Sequence, residues 1–419
     1  MRIPAGSKTE KWCAWAVIAA LWTLMFAASW GGTKDALADS DTRAILLGIE
    51  SRSNWLSWFW TDWPLQNHFY RPVPTLIFAA DLALFGRQNA AGFSFTNTLL
   101  AAISVTLLYL WSGELFQNRK LGLIAPTAFC AWTLDSSGWL QLFVLVGGIG
   151  FLVVKRKEIR AIHLALLFLL YIEVVAISPL FYGTVLWLPG RTATAMTFFC
   201  LAACWCQSIL FRKESKLATF GLLGSVCLAL MSYEQAVMLP LVLTGLAYGF
   251  AAKGAKSVWR PTLGSWVILV GYLAARTAIM PVSTSRYQDQ QLRFGTGVVI
   301  SLLDYLSKIL KSWTQFLAAF EIGWDSILLP ELWITAILWI LLGLSLAMLR
   351  KAQSRKRLLV IWMASFVAFA PMTFLKPFAH YHFWPMCIRA MLVAVLIGEL
   401  TNWQKNNCSS PDSMPAETP

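Results

Sequence analysis

Charge is what this sequence has least of: 13% of its 419 residues are Asp, Glu, Lys or Arg, against 58% hydrophobic side chains. So few polar groups cannot cover a water-soluble globule of 46.8 kDa, and a mean hydropathy of +0.60 says the same, so a soluble enzyme is excluded. Histidine is rarer still, with four in the chain, and no His/Cys/Glu cluster stands at metal-ligand spacing, so a zinc site is not expected. The eight cysteines show no Cys-x-x-Cys pair and lie almost all inside apolar runs, which reads as buried, reduced thiols. A Gly-rich phosphate loop, a Gly-x-Ser-x-Gly nucleophile motif and a solenoid-type repeat are also missing.

What fills the chain instead is apolar runs such as Trp12–Trp30, Phe93–Leu110, Leu217–Met231, Val267–Met280 and Leu332–Leu349. At about 1.5 Å per residue each crosses, or nearly crosses, a hydrocarbon layer of roughly 30 Å. The fold class is therefore an all-α polytopic membrane protein. Arg2, Lys8 and Lys11 ahead of the first run resemble a secretory signal, but that run is too long for one and more follow, so it reads as an uncleaved first span.

The net charge of +13 would suggest nucleic acid in a soluble domain. Here the basic residues cluster in short loops, at Arg119-Lys120, Lys155-Arg156-Lys157, Arg212-Lys213, Lys253/Lys256/Arg260 and Arg350 to Arg357, which marks the cytoplasmic side of a membrane and leaves no role for nucleic acid. Holding them inside predicts about twelve transmembrane helices, near 12–30, 93–116, 121–134, 138–154, 160–178, 191–211, 217–234, 236–252, 262–280, 332–349, 357–375 and 385–402. Both termini are then cytoplasmic. Two apolar stretches do not cross: Pro72–Phe85, with two prolines and Asp81, lies along or dips into the outer leaflet, and Val298–Phe320 reads as an amphipathic surface helix. The organisation expected is a transmembrane domain over 1–403, with external loops 31–92 and 281–331, and a disordered cytoplasmic tail over 404–419.

Carboxylates gather on the opposite, outer face. Loop 31–92 holds Asp35, Asp39, Asp41, Glu50 and Asp62, and then His68-Phe69-Tyr70-Arg71-Pro72. Such acids can simply be solvated; an Asp beside the first span can also act as a general base toward an acceptor hydroxyl. Asp39-Ser40-Asp41 has the shape of a two-carboxylate divalent-ion motif, a pattern common by chance. The run from Trp55 to Trp63 suits an aromatic belt at headgroup level, and sugar stacking as well. Asp135, in a tight hairpin turn, is either an N-cap or a functional acid, and Glu234 stands at the outer end of a span just before Pro240. Glu173 lies mid-span. His380-Tyr381-His382-Phe383-Trp384-Pro385, with Lys376 before it and Arg389 after, offers cations for a phosphate or for lipid headgroups.

The succession of motifs resembles the GT-C superfamily of integral-membrane glycosyltransferases, which includes protein O-mannosyltransferases and aminoarabinose transferases. The residues that carry it are Tyr70-Arg71-Pro72-Val73-Pro74, Leu84-Phe85-Gly86, Gly92-Phe93-Ser94-Phe95-Thr96-Asn97, Ile124-Ala125-Pro126, Leu134-Asp135, Glu234-Gln235 with Pro240, and Tyr381 to Pro385. The resemblance implies transfer of a sugar from a polyprenyl- or dolichyl-phosphate carrier to a glycan, lipid or protein acceptor on the external face, with no organic cofactor; a divalent cation is possible but not expected, and the compact loops lean toward a bacterial inner membrane. It implies Asp41 as the catalytic base with Asp39 as alternate. Asp135, Glu234 and Tyr70 belong to the acceptor or sugar pocket, and Arg71, His380 and Arg389 stand near the carrier phosphate. The chain departs from the pattern at Ser94, where the family has His, at Tyr233, where it commonly has Lys, and at His380, where it often has Arg. The rival class is a non-catalytic membrane protein, either a lipid-linked glycan transporter or an inactive relative; a transporter would show internal pseudo-repeats and broken helices around a midplane site.

Overall fold

The computed structural model describes residues 8–30, 36–134, 181–251, 256–281, 283–299, 352–376 and 378–408. Among them the chain is all-α, with no strand and one isolated bridge, between Leu292 and Leu375. The α-helices longer than four residues are α1 (Lys8–Trp30), α2 (Ser40–Glu50), α3 (Pro72–Phe85), α4 (Ala90–Phe116), α5 (Ile124–Leu134), α6 (Arg191–Leu210), α7 (Lys216–Leu230), α8 (Leu239–Phe250), α9 (Lys256–Ile279), α10 (Arg286–Gln291), α11 (Ala352–Phe369) and α12 (Phe383–Cys408).

Six helical stretches in these residues are long and apolar enough to cross a membrane: Lys8–Trp30, Ala90–Phe116, Leu188–Leu210, Ser257–Ile279, Gln353–Phe374 and Ala379–Glu399. This is a membrane protein. The spans expected at 138–154, 160–178 and 332–349 lie outside the described residues, as do Asp35, Asp135, Glu173 and the surface helix at 298–320 beyond Val299. The span expected at 217–234 stops at Leu230, and a 3₁₀ turn, Glu234–Met238, leads into α8. Pro240 explains the restart: with no N–H to donate it is placed in the first turn of α8, where that donor has no helical partner. At the C-terminal end α12 runs on to Cys408, so the expected tail is helical as far as that residue.

The apolar surface sorts the helices by depth. The most apolar stretch of α12 is 94% buried, that of α1 28% and that of α9 22%. Leu263, Val267 and Val270 project outward from α9 as large bare side chains, an arrangement that lipid tails solvate and water does not. Buried on α12 are mostly Ala, Val, Leu, Met and Cys, small or flexible enough for close helix contact.

Polar contacts fix which helix ends lie together. At one end Glu10 of α1 pairs with Lys120, Arg212 after α6 pairs with Glu114 of α4, and Arg357 of α11 pairs with Glu399 of α12. Ser257 Oγ of α9 reaches the Leu210 carbonyl, and Gln353 of α11 donates to the Gly249 carbonyl of α8. At the opposite end the Val73 amide of α3 donates to the Met231 carbonyl after α7. Among the described residues, Arg119-Lys120, Arg212-Lys213 and Arg355 to Arg357 thus share one end, where Glu114 and Glu399 neutralise Arg212 and Arg357.

Helix α3 begins at Pro72 and stops at Gly86, whose φ of 74° suits a residue without a Cβ. Its one acid, Asp81, is not exposed to lipid. It forms a buried pair with Arg191 (Oδ2–Nη2 2.7 Å) and accepts from Thr96 Oγ1, while Arg191 also donates to Asn97 Oδ1 and to the Phe93 carbonyl. One internal guanidinium therefore ties α3, α4 and α6 together.

Candidate functional site

At the end away from the basic loops lies a cavity of about 320 Å³. Its walls come from residues 41, 63–71, 187–192, 233–234, 276–292 and 372–381, every one in or beside a segment the charge pattern assigns to the outer face.

Arg71 anchors it. It takes the N-cap position of α3, and its guanidinium grips Glu234 in a fork: Nε donates to both carboxylate oxygens at 3.2 and 3.0 Å, and Nη2 to Oε2 at 2.6 Å. Phe69 and Tyr233 rings lie 4.1 and 4.5 Å from the guanidinium carbon. Burial works against the charge, but Glu234 and its neighbours outweigh it and carry the Arg71 pKa above its ordinary value. The fork leaves Nη1 without a hydrogen bond among the described residues.

The neighbouring turn is pinned by Gln235, fully buried, whose amide donates to the Ala368 and Tyr381 carbonyls at 2.8 and 2.9 Å. That sets Glu234 opposite the 3₁₀ turn Ala379–His382 and its His380. His380 Nε2 is 3.2 Å from the Tyr233 hydroxyl, and Trp187 lies over the imidazole at 5.1 Å. Tyr233 and His380 therefore meet, a phenol against an imidazole at the cavity wall. Ser94 is buried at the start of α4 and does not line the cavity.

Of the two loop aspartates, Asp41 lines the cavity and Asp39 does not. Asp39 caps α2, accepting from the Thr42 amide and hydroxyl at 2.9 and 3.0 Å, so the Asp39-Ser40-Asp41 sequence is a helix start. Asp41 follows in the first turn, at the solvent-reached edge. Partial burial and the nearby Asp39 charge raise its pKa above the ordinary carboxylate value. Tyr287 of α10, also on the wall, is close enough to feel both Arg71 and Asp41; burial raises its pKa, Arg71 opposes and Asp41 adds.

The remaining expected residues are placed elsewhere. Tyr70 points away from the cavity, its hydroxyl donating to the Phe59 carbonyl at 3.1 Å. Arg389 is buried within α12, its Nη1 3.7 Å from the Met386 sulfur, and is not on the cavity wall. Asp135 lies outside the described residues. The tryptophan run divides: Trp58 and Trp63 are buried, Trp63 on the cavity wall, while Trp55 and Trp60 face outward.

Sequence reasoning missed Arg276, Tyr287, Trp187 and Asn67, all on the wall. Arg276 had a readable signal, a lone cation in the last turn of an apolar helix. Trp187 had none, since its position follows from a π turn, Tyr182–Leu186, and from Gly190, where a Cβ would meet the Thr184 carbonyl oxygen at 2.2 Å. As built, the cavity offers one carboxylate with a raised pKa, two arginines and aromatic walls, a set able to accept a proton from a hydroxyl and to hold an anion. The chain matches no family model, no curated protein and no solved structure with which it was compared.

Proposed function

We propose that this protein is a membrane glycosyltransferase of the GT-C kind, moving a sugar from a polyprenyl-phosphate carrier to an acceptor hydroxyl at the external face of the membrane. The observation that carries the reading is the single cavity that gathers Asp41, Arg71, Glu234 and His380 from four separate segments. Its volume of about 320 Å³ is at the small end of ligand sites, room for one sugar ring and its phosphate.

The reaction breaks the bond between the sugar's anomeric carbon and the phosphate oxygen and forms one between that carbon and the acceptor oxygen. The acceptor proton passes to Asp41, and the bonding electrons leave with the carrier phosphate. Arg71 Nη1 and Arg276 supply positive charge for that leaving group, and Glu234 holds Arg71 in place rather than contacting the sugar. The isoprenoid tail would stay in the bilayer beside the outer helix ends, which suits a bacterial inner membrane, and the chemistry calls for no organic cofactor.

Incubating the purified, detergent-solubilised protein with short-chain polyprenyl-phosphate sugars and an acceptor extract tests this. Release of sugar-free carrier phosphate, dependent on acceptor, is the expected result. Vesicles in which the intact sugar-carrier crosses the membrane without cleavage would establish the transporter class instead.

A further inference from the structure

The segment Trp63–Phe69 is held in a conformation its residues do not favour. Gln66 and His68 adopt φ of 52° and 62°, and the other non-glycine residue with positive φ among the described residues, Gln117, ends a helix at the far side of the molecule. The surrounding structure fixes this turn from several directions. The His68 amide donates to Asp62 Oδ2 at 2.8 Å, and the Trp63 amide to the Phe69 carbonyl at 3.0 Å. Ser285 Oγ donates to the Asn67 carbonyl at 3.0 Å, and His68 Nδ1 meets the Ser283 carbonyl at 2.9 Å. Between the two strained residues stands Asn67, only 7% exposed and on the cavity wall. Its carboxamide oxygen is buried and has no hydrogen-bond partner among the described residues.

A second carboxamide repeats the pattern from the other external loop. Gln291, the last residue of α10, lines the same cavity, and its Oε1 is likewise buried without such a partner. Its backbone is fixed, because the Gln291 carbonyl accepts from the Lys376 amide at 3.0 Å. Two loops far apart in sequence thus each place a carboxamide, carried on hydrogen-bonded backbone, at the wall of one small cavity. A buried carboxamide left without a partner costs about 1–3 kcal/mol, a penalty that a ligand donor at the same place removes.

We propose that Asn67 and Gln291 are specificity-determining residues that recognise a neutral sugar ring through adjacent free hydroxyls. A carboxamide offers one acceptor and one two-proton donor, so it pairs with two neighbouring hydroxyls, one donating to its oxygen and the next accepting from its nitrogen. Neither residue carries charge, so the pair gives an ammonium or carboxylate substituent no ion pair and rewards hydroxyl count and geometry. Phosphate oxygens, which only accept, would satisfy the amide nitrogens and leave both buried carboxamide oxygens unpaired. The inference deepens the glycosyltransferase reading and rests on it for the identity of the substrate, but it concerns different residues from those assigned to the carrier.

The test uses the full chain in detergent and two probes: methyl glycosides of neutral hexoses and pentoses with their deoxy analogues, followed by saturation-transfer NMR titration, and farnesyl phosphate without a sugar, followed by calorimetry. Wild-type protein should bind glycosides with vicinal hydroxyls in preference to the deoxy analogues. Asn67→Ala/Gln291→Ala should weaken that binding by about tenfold or more and leave farnesyl phosphate binding unchanged, which also shows the variant folded. The single variant Gln291→Ala, on an accessible six-residue helix, should show part of the same loss. Glycoside binding that is absent from the wild type, indifferent to the deoxy substitutions, or unaltered in the double variant overturns the proposal. Glycoside binding that behaves as expected in a protein with no affinity for farnesyl phosphate upholds it and contradicts the carrier reading instead.

Discussion

Asp41 and Asp39 are two residues apart and have separate fates. Asp39 starts a helix, and Asp41, one position into that helix, lines the cavity. The cap itself was not read from the sequence, where Asp39-Ser40-Asp41 has the shape of a divalent-ion motif, and it decides which of the pair remains available for chemistry. The raised pKa of Asp41 has two consequences. As the base, it must be ionised, so the acid limb of transfer should fall at a pH above the ordinary carboxylate range, and a pH–rate profile reads this directly. For stability the sign is opposite: the folded carboxyl holds its proton more tightly than the unfolded one, so its ionisation costs stability as the pH rises through the folded pKa. Asp41→Asn should therefore be no less stable than the wild type at neutral pH, measured by thermal unfolding in detergent. Pairings over long sequence separation were not legible. Arg71 and Glu234 were each placed on the outer face, but that they hold each other, and that Tyr70 turns the opposite way from its neighbour, depends on α3 being tied to the end of α7.

The elements that matter most are those that sequence periodicity describes worst. Helix α3 is too short to span, and its Asp81 makes it a poor apolar helix until Arg191 is seen to meet it. Removing one partner of a buried pair strands the other charge, so Asp81→Ala should lower stability by about 3–5 kcal/mol. Arg191 also bonds α4, so the loss should appear as a fall in the unfolding midpoint of the whole protein and not as fraying of α3 alone. The turn before α6 is equally specific. A methyl at position 190 has no space beside the Thr184 carbonyl, so Gly190→Ala should displace the segment carrying Trp187. The expected outcome is a several-fold loss of transfer with the overall helix content kept, checked by activity and circular dichroism side by side. Neither contact leaves a trace in composition, because each depends on the approach of backbone segments that only the packed helices bring together.

For the whole molecule, the charge pattern carried the most. Counting where Lys and Arg fall separated two sets of loops. Among the described residues the structure brings Lys120, Arg212 and Arg357 of one set into ion pairs at one end, and residues of the other set into a cavity at the opposite end. Sidedness in the cell follows as a prediction: single cysteines at Thr284 and Lys213 in a background lacking native thiols should differ, the first labelled by a membrane-impermeant maleimide from outside and the second only after permeabilisation. The helical, lipid-facing character of the chain was readable from hydropathy, since exposed Leu263, Val267 and Val270 make sense only against lipid. What hydropathy could not give was the cavity itself, whose aromatic and amide walls are ordinary outer-loop residues until the helices bring them together.

The central claim, that one external cavity carries out sugar transfer with Asp41 as its base, is tested most directly by carrier-phosphate release from a short-chain polyprenyl-phosphate sugar, comparing wild-type protein with Asp41→Asn. The account predicts release by the wild type and a loss of at least about a hundredfold in the variant, as expected for removal of a general base, with the variant still inserted and folded. Equal rates in the two proteins would contradict it.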